Sequence, residues 1–152
     1  MSTDRPLGLS AHIFVRDPDA AVRFYGAVFG ATEVFRNTTA DGNVAFVELA
    51  FGAAKLLIGG EVPEMGAVGP ETVGGTPVLL TVELEDVDAA ARRAEERGAV
   101  IEMPVEEQFW GERYGVVRDP FGHRWAICTR REELAPGDIH RQSPAQIPPD
   151  RG

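Results

Sequence analysis

Two side chains in this 152-residue chain could carry acid–base chemistry together, His12 and Glu48. An imidazole exchanges a proton near neutral pH, and a carboxylate can orient the ring or act as base where burial favours its protonated form. No third residue completes a nucleophilic triad, and a His and a Glu sharing one sheet face is an arrangement that chance often produces. The plainer reading of His12 is a polar residue in a ligand site, hydrogen-bonded to Glu48 or to water. Cys128, the single cysteine, is a nucleophile only where a neighbour activates it, and otherwise behaves as a small core hydrophobe. Phe46, Phe109, Trp110 and Tyr114 offer aromatic faces that stack flat organic molecules or hold cations, and that serve equally as core or dimer contacts. Arg124 could anchor an anionic ligand group or form a salt bridge at the rim of its strand. The sequence has no phosphate-cradling glycine loop, CxxC or HExxH pattern.

The elements that must position these residues follow from periodicity. Leu7, Leu9, Ala11, Ile13 and Val15 alternate with Gly8, Ser10, His12 and Phe14, which predicts a strand over 7–15. Asp17 and Pro18 then start a helix as N-cap and first helical residue, with Ala21, Phe24, Val28 and Phe29 as its apolar stripe and Gly30 as its stop. A short strand over 32–36, a turn at Asp41-Gly42, and a hairpin of 44–50 and 53–59 complete a βαβββ unit.

The order then repeats. Residues 78–84 alternate as a strand, Asp86 caps a helix running to Arg97, Gly98 ends it, and 100–105 reads as the next strand. Two further strand-like runs close the unit around a tight turn, Asp119-Pro120-Phe121-Gly122, in which Pro presets φ and Gly permits a positive φ. Asp17 and Asp86 lie 69 residues apart, and Gly52 and Gly122 lie 70 apart. Two independent landmarks that agree within one residue indicate internal duplication. The fold class is therefore α+β with two tandem βαβββ modules. Module one spans 7–59, a Gly- and Pro-rich linker 60–76, and module two 77–130, together one domain over 1–130. Residues 131–152 read as a polar, mobile tail.

Composition narrows the partners. A net charge of -9 disfavours nucleic acid, which requires clustered Lys and Arg, and leaves room for a cationic small molecule. No apolar run approaches the length of a membrane span, and the polar N-terminus does not read as a signal peptide. A lone cysteine suits a reducing, cytoplasmic setting.

The run Asp17-Pro18-Asp19-Ala20-Ala21-Val22-Arg23-Phe24-Tyr25 with Phe29-Gly30, the closing run Arg113-Tyr114-Gly115 through Asp119-Pro120-Phe121-Gly122-His123-Arg124-Trp125, and the duplication together resemble the vicinal oxygen chelate superfamily. That group includes glyoxalase I, extradiol dioxygenases, fosfomycin-resistance enzymes and bleomycin-resistance proteins, and the closing run is most similar to its uncharacterised glyoxalase-like branch. The resemblance covers about residues 7–130 and implies curved mixed sheets around a cleft, with helices outside and a homodimer. On that shape, Leu9, Ile13, Val47, Leu49, Leu80, Val82, Trp125 and Ile127 would face the helices. Ser10, His12, Phe46, Glu48, Leu79, Thr81, Tyr114, Val116, Arg124, Ala126 and Cys128 would face the cleft.

Metal-dependent relatives place four ligands in the cleft, and the matching positions here are Ser10, Glu48, Leu79 and Ala126. Only Glu48 is a competent ligand, so the resemblance carries no expectation of a metal or other cofactor. The expected function is a metal-free site for a small aromatic or cationic molecule, as in drug sequestration or resistance, formed by Ser10, His12, Phe46, Glu48, Thr81, Trp110, Tyr114 and Arg124. The alternative is a lyase, isomerase or dioxygenase using His12 and Glu48, with or without a divalent metal.

Overall fold

The computed structural model of the protein describes residues 4–130, so the tail expected over 131–152 lies outside the described residues. Two main helices and two four-stranded sheets follow the expected order. The first module is β1 (Ala11–Val15), α1 (Pro18–Phe29), β2 (Thr32–Thr38), β3 (Val44–Phe51) and β4 (Ala54–Gly60). The connection between modules carries a 3₁₀ turn, Pro63–Met65, and a short helix α2 (Pro70–Val73). The second module is β5 (Leu79–Glu83), α3 (Val87–Glu96), β6 (Val100–Glu107), β7 (Glu112–Arg118) and β8 (Arg124–Arg130). The sheets run β1-β4-β3-β2 and β5-β8-β7-β6, each with one parallel pair and two antiparallel pairs. This is the duplicated α+β architecture that the sequence predicts.

By its contacts the chain forms two compact units, one reaching to Pro77 and taking in Pro120–His123, the other beginning at Val78 and lacking that turn. Both main helices start as their sequences dictate. Asp17 Oδ1 accepts from the Ala20 N–H at 3.1 Å, and Asp86 Oδ1 from the Ala89 N–H at 3.0 Å. Each aspartate thereby satisfies an N–H that the helix leaves without an internal partner. Gly30 closes α1 in the left-handed region at φ 74°.

Inside the first unit, Ile13, Val15, Val47, Leu49, Leu56 and Ile58 are buried together with Ala21, Phe24, Tyr25 and Val28 of α1. In the second, Val117, Trp125 and Ile127 are buried together with Val87, Ala90 and Ala94 of α3. Trp125 donates from Nε1 to buried Asp119 at 2.9 Å, which meets the hydrogen-bonding demand of an indole taken out of water.

Two local expectations are corrected, and the connection between modules gains a detail. Leu9 does not face α1. It is 96% exposed, because the ladder with β4 begins at Ala11↔Leu56 and the alternation ahead of it has no strand to lie against. The edge strands β2 and β6 run further than 32–36 and 100–105, because register shifts at Glu33/Phe35, Asn37/Thr38, Ile101/Met103 and Met103/Glu106 interrupt the period-2 pattern that marks a strand in sequence. The Gly- and Pro-rich connection is fastened to the first module. Glu61 accepts from the Gly69 N–H and the Thr72 hydroxyl, each at 2.8 Å, and pairs with Arg16 at 3.4 Å.

Two predictions follow from these contacts. The Thr72 and Gly69 donors, with Arg16, hold the Glu61 carboxyl below its ordinary value of 4.5. A lowered folded-state value contributes stability above the unfolded value and loses it as pH falls through the folded one. The stability advantage of wild type over Glu61→Gln in urea melts is therefore expected to shrink as pH drops below 4.5. The second concerns Gly122, which sits at φ 90°, and whose added methyl would lie 2.7 Å from Pro70 Cβ. Gly30→Ala, at φ 74° with open space around it, should cost about 1–2 kcal/mol in urea unfolding. Gly122→Ala should cost more.

Candidate functional site

In the first sheet every second residue points away from α1, and the ladders place those residues in rows. His12 stands opposite Leu57, which stands opposite Glu48, which stands opposite Phe35. The next row is Phe14, Gly59, Phe46 and Asn37. These positions are half-buried or exposed apart from Gly59, whereas Ile13, Val15, Val47, Leu49, Leu56 and Ile58, which alternate with them on β1, β3 and β4, are buried.

The rings of these rows meet. His12 and Phe14 lie 4.7 Å apart between centroids with their planes 31° apart, and the edge of Phe46 meets His12 at 5.6 Å. Phe35, 53% exposed, extends the group toward the sheet edge at 6.2 Å from Phe46. Gly59 makes the arrangement possible, since a Cβ there would sit 2.9 Å from the Phe14 ring and 3.1 Å from His12 Nε2. A substituted residue 59 would push both rings off the sheet.

His12 and Glu48 are not on neighbouring strands, as the acid–base reading supposes. Strand β4 runs between them, and Leu57 occupies the intervening position. Glu48 is instead ion-paired with Lys55 at 3.4 Å. Ser10 is half-buried just ahead of β1. The sheet therefore brings His12 and Phe46 together and leaves Glu48 apart, facing a cation. The residues that sequence reasoning did not select are Phe14 and Phe35. Phe14 was visible as a same-face neighbour two residues from His12, whereas Phe35 is set on this face by a bulge.

In the second unit, Trp110 meets Tyr114 edge-on at 5.5 Å, and Phe109 meets Trp110 at 4.9 Å. Thr81 is exposed on β5 opposite buried Ala126. Arg124 donates from Nε to Glu102 at 2.8 Å, and Arg118 reaches the same carboxylate at 3.8 Å, so Arg124 is engaged in a strand-rim ion pair. The Cys128 thiol is pushed up to about 11, first by burial and then by the charge of Glu112.

The positions of a metal quartet offer little to a cation. Leu79 and Ala126 carry no donor atom and Glu48 already faces Lys55, so these residues do not fit the metal that the resemblance describes. Among the described residues, no group of three or more His, Cys, Asp or Glu side chains could hold a metal ion. Likewise no described helix is long and apolar enough to cross a membrane.

Comparison with known proteins adds the following. The family model described as Glyoxalase/Bleomycin resistance protein/Dioxygenase superfamily matches residues 9–127. An uncharacterised protein of Mycobacterium bovis is 38% identical over 141 residues, which cover 91% of this chain and 93% of that one. TioX from Micromonospora sp. ML1 superposes with a TM-score of 0.63 at 28% identity, covering 80% of this chain and 97% of its own. TnmS3, an antibiotic binding protein from Streptomyces sp. CB03234, superposes with a TM-score of 0.59 over 80% of this chain and 93% of its own. At 20% identity that second likeness is one of fold.

A thiol held near 11 is almost wholly protonated at pH 8, and the thiolate is the reactive form. Folded protein at pH 8 is expected to resist iodoacetamide for hours, with mass spectrometry showing a single alkylation only after denaturation. Rapid labelling of folded protein would contradict the buried, inert thiol.

Proposed function

We propose that this chain, which belongs to the Glyoxalase/Bleomycin resistance protein/Dioxygenase superfamily, binds a flat aromatic or cationic small molecule without a metal, in the manner of a sequestering protein. The observation that carries this reading is the ring cluster of His12, Phe14 and Phe46 over Gly59. Aromatic faces held at fixed angles attract a planar π-system by stacking and a cation through the ring quadrupole. The rings also bring little conformational entropy to lose, because they already pack against one another. The acidic net charge of -9 favours the approach of a cation over that of an anion.

The fold likeness to TnmS3, whose description is an antibiotic binding protein, is consistent with this use of the scaffold. The binding chemistry argued for this chain comes from its own rings. Acid–base catalysis by His12 and Glu48 is the weaker reading, because Leu57 separates the two and Lys55 engages the carboxylate.

A thermal-shift screen tests the proposal with planar aromatic cations, their uncharged analogues and aliphatic ammonium ions. A ligand selective for the folded state raises its melting temperature in a concentration-dependent way. Flat aromatic compounds are expected to shift it, and Phe46→Ala should weaken the best of them by about 2- to 13-fold, the equivalent of about 0.5–1.5 kcal/mol for one aromatic contact. Elemental analysis of the purified protein should find no stoichiometric divalent metal. Either a stoichiometric metal or a panel of flat aromatics that all leave the transition unmoved would sink the reading.

A further inference from the structure

We propose that His123 is a positioning residue for the aromatic site, holding Phe14 through that residue's backbone carbonyl. The inference rests on the binding reading above. His123 lies in the turn between β7 and β8, yet it belongs by contacts to the first unit. Its imidazole is 8% exposed, and Nε2 lies 2.9 Å from the carbonyl oxygen of Phe14, 109 residues away in sequence. A carbonyl oxygen only accepts, so Nε2 carries the proton and donates it.

The position of that carbonyl matters because β1 is the edge strand of its sheet. Backbone groups on the outer side of an edge strand have no strand to pair with, and an edge is free to shift unless something else secures it. Phe14 is secured on three sides. His123 takes the carbonyl. Gly69 of the connection packs so closely on the same carbonyl that an added Cβ would collide with Phe14 O. Gly59 beneath leaves no Cβ to lift the ring, which would otherwise meet it at 2.9 Å. The Phe14 ring in turn sets His12, its neighbour at 4.7 Å. The turn that marks the end of the duplicated unit in sequence thus reaches the ligand face through one hydrogen bond. The ligand class this serves is a flat ring that stacks on a Phe14–His12 pair fixed before binding.

The experiment separates positioning from binding. Full-length protein carrying ¹³C-labelled Phe and His rings is studied without ligand by aromatic NMR, and then titrated with 9-aminoacridine, a planar aromatic cation, and with acridine as its uncharged analogue. His123→Leu fills the space and removes the donor. It is expected to keep the far-UV circular dichroism of wild type, to move the Phe14 and His12 ring resonances toward free-residue values, and to weaken 9-aminoacridine by about 2- to 13-fold, the range for one hydrogen bond. His123→Gln, whose amide N–H can still donate, should recover most of that loss. Gly69→Ala, pressing on the same carbonyl, should displace the same resonances, and it decides the matter if His123→Leu fails to fold. Folded His123→Leu and Gly69→Ala proteins with unmoved Phe14 and His12 resonances would overturn the proposal. If the resonances respond as expected but neither acridine binds wild type, the binding reading fails and His123 is left with a structural role only.

Discussion

The packing around Tyr25 is the interaction on which the first module and the ring cluster on its sheet depend. Its ring is fully buried. It stacks on Phe29 at 6.1 Å with planes 11° apart, and meets Phe24 at 5.6 Å, Phe51 at 6.4 Å and Phe121 at 6.1 Å. These partners come from α1, from the last residue of β3, and from the turn between β7 and β8. Each aromatic side chain removed from water contributes about 1.5–3 kcal/mol, and each edge or offset contact about 0.5–1.5 kcal/mol beyond that. The cluster therefore outweighs any single hydrogen bond in fixing the turn. With Phe121 seated among these rings, His123 comes within reach of the Phe14 carbonyl two residues later. Hydrophobic packing sets where the turn sits, and one polar contact transmits that placement to the edge strand.

The phenylalanine-glycine pairs at Phe51-Gly52 and Phe121-Gly122 therefore have a physical reading. The phenylalanine is the anchor, and the glycine turns the chain at a positive φ of 57° and 90° respectively. Both features are local, which is why the sequence displays them. The same holds for the Asp17 and Asp86 caps, whose side chains bond residues three positions on, and for the alternation that assigns Ile13, Val47 and Trp125 to the helix side. Whatever depends on a residue's own neighbours in the chain was legible.

What was not legible depends on which strand lies beside which. Period-2 alternation gives the face of a residue and says nothing about its neighbour across the ladder. His12 and Glu48 share a face, but β4 lies between their strands, so the acid–base pair suggested by parity is separated by Leu57. The bulges in β2 that turn Phe35 onto the open face leave no mark on the alternation except noise. The bond from His123 to Phe14 spans 109 residues and joins a turn to an edge strand, a contact that no window of sequence contains.

The duplication also explains why only one of the two sheets displays a cluster of rings over a bare backbone. The rows Phe14–Gly59–Phe46 and Glu83–Cys128–Tyr114 occupy the same ladder positions in their respective sheets, since Phe14 and Phe46 both register on Gly59 while Glu83 and Tyr114 both register on Cys128. The helix sides of the two central strands keep bulky apolar residues, Leu56 and Ile58 in one and Trp125 and Ile127 in the other, because each sheet must still bury a face against its helix. The opposite sides differ, since His12 and Phe35 are exposed on the first sheet whereas Val116, Ala126 and Cys128 are buried on the second. Glycine at the centre of the first row lets two flanking rings lean over the backbone. Cysteine at the centre of the second fills that space with a side chain that is itself buried and, with its thiol pushed up to about 11, holds its proton at neutral pH. One small residue at the middle of a ladder thus decides whether flanking rings lean over bare backbone or the space is occupied by its own side chain.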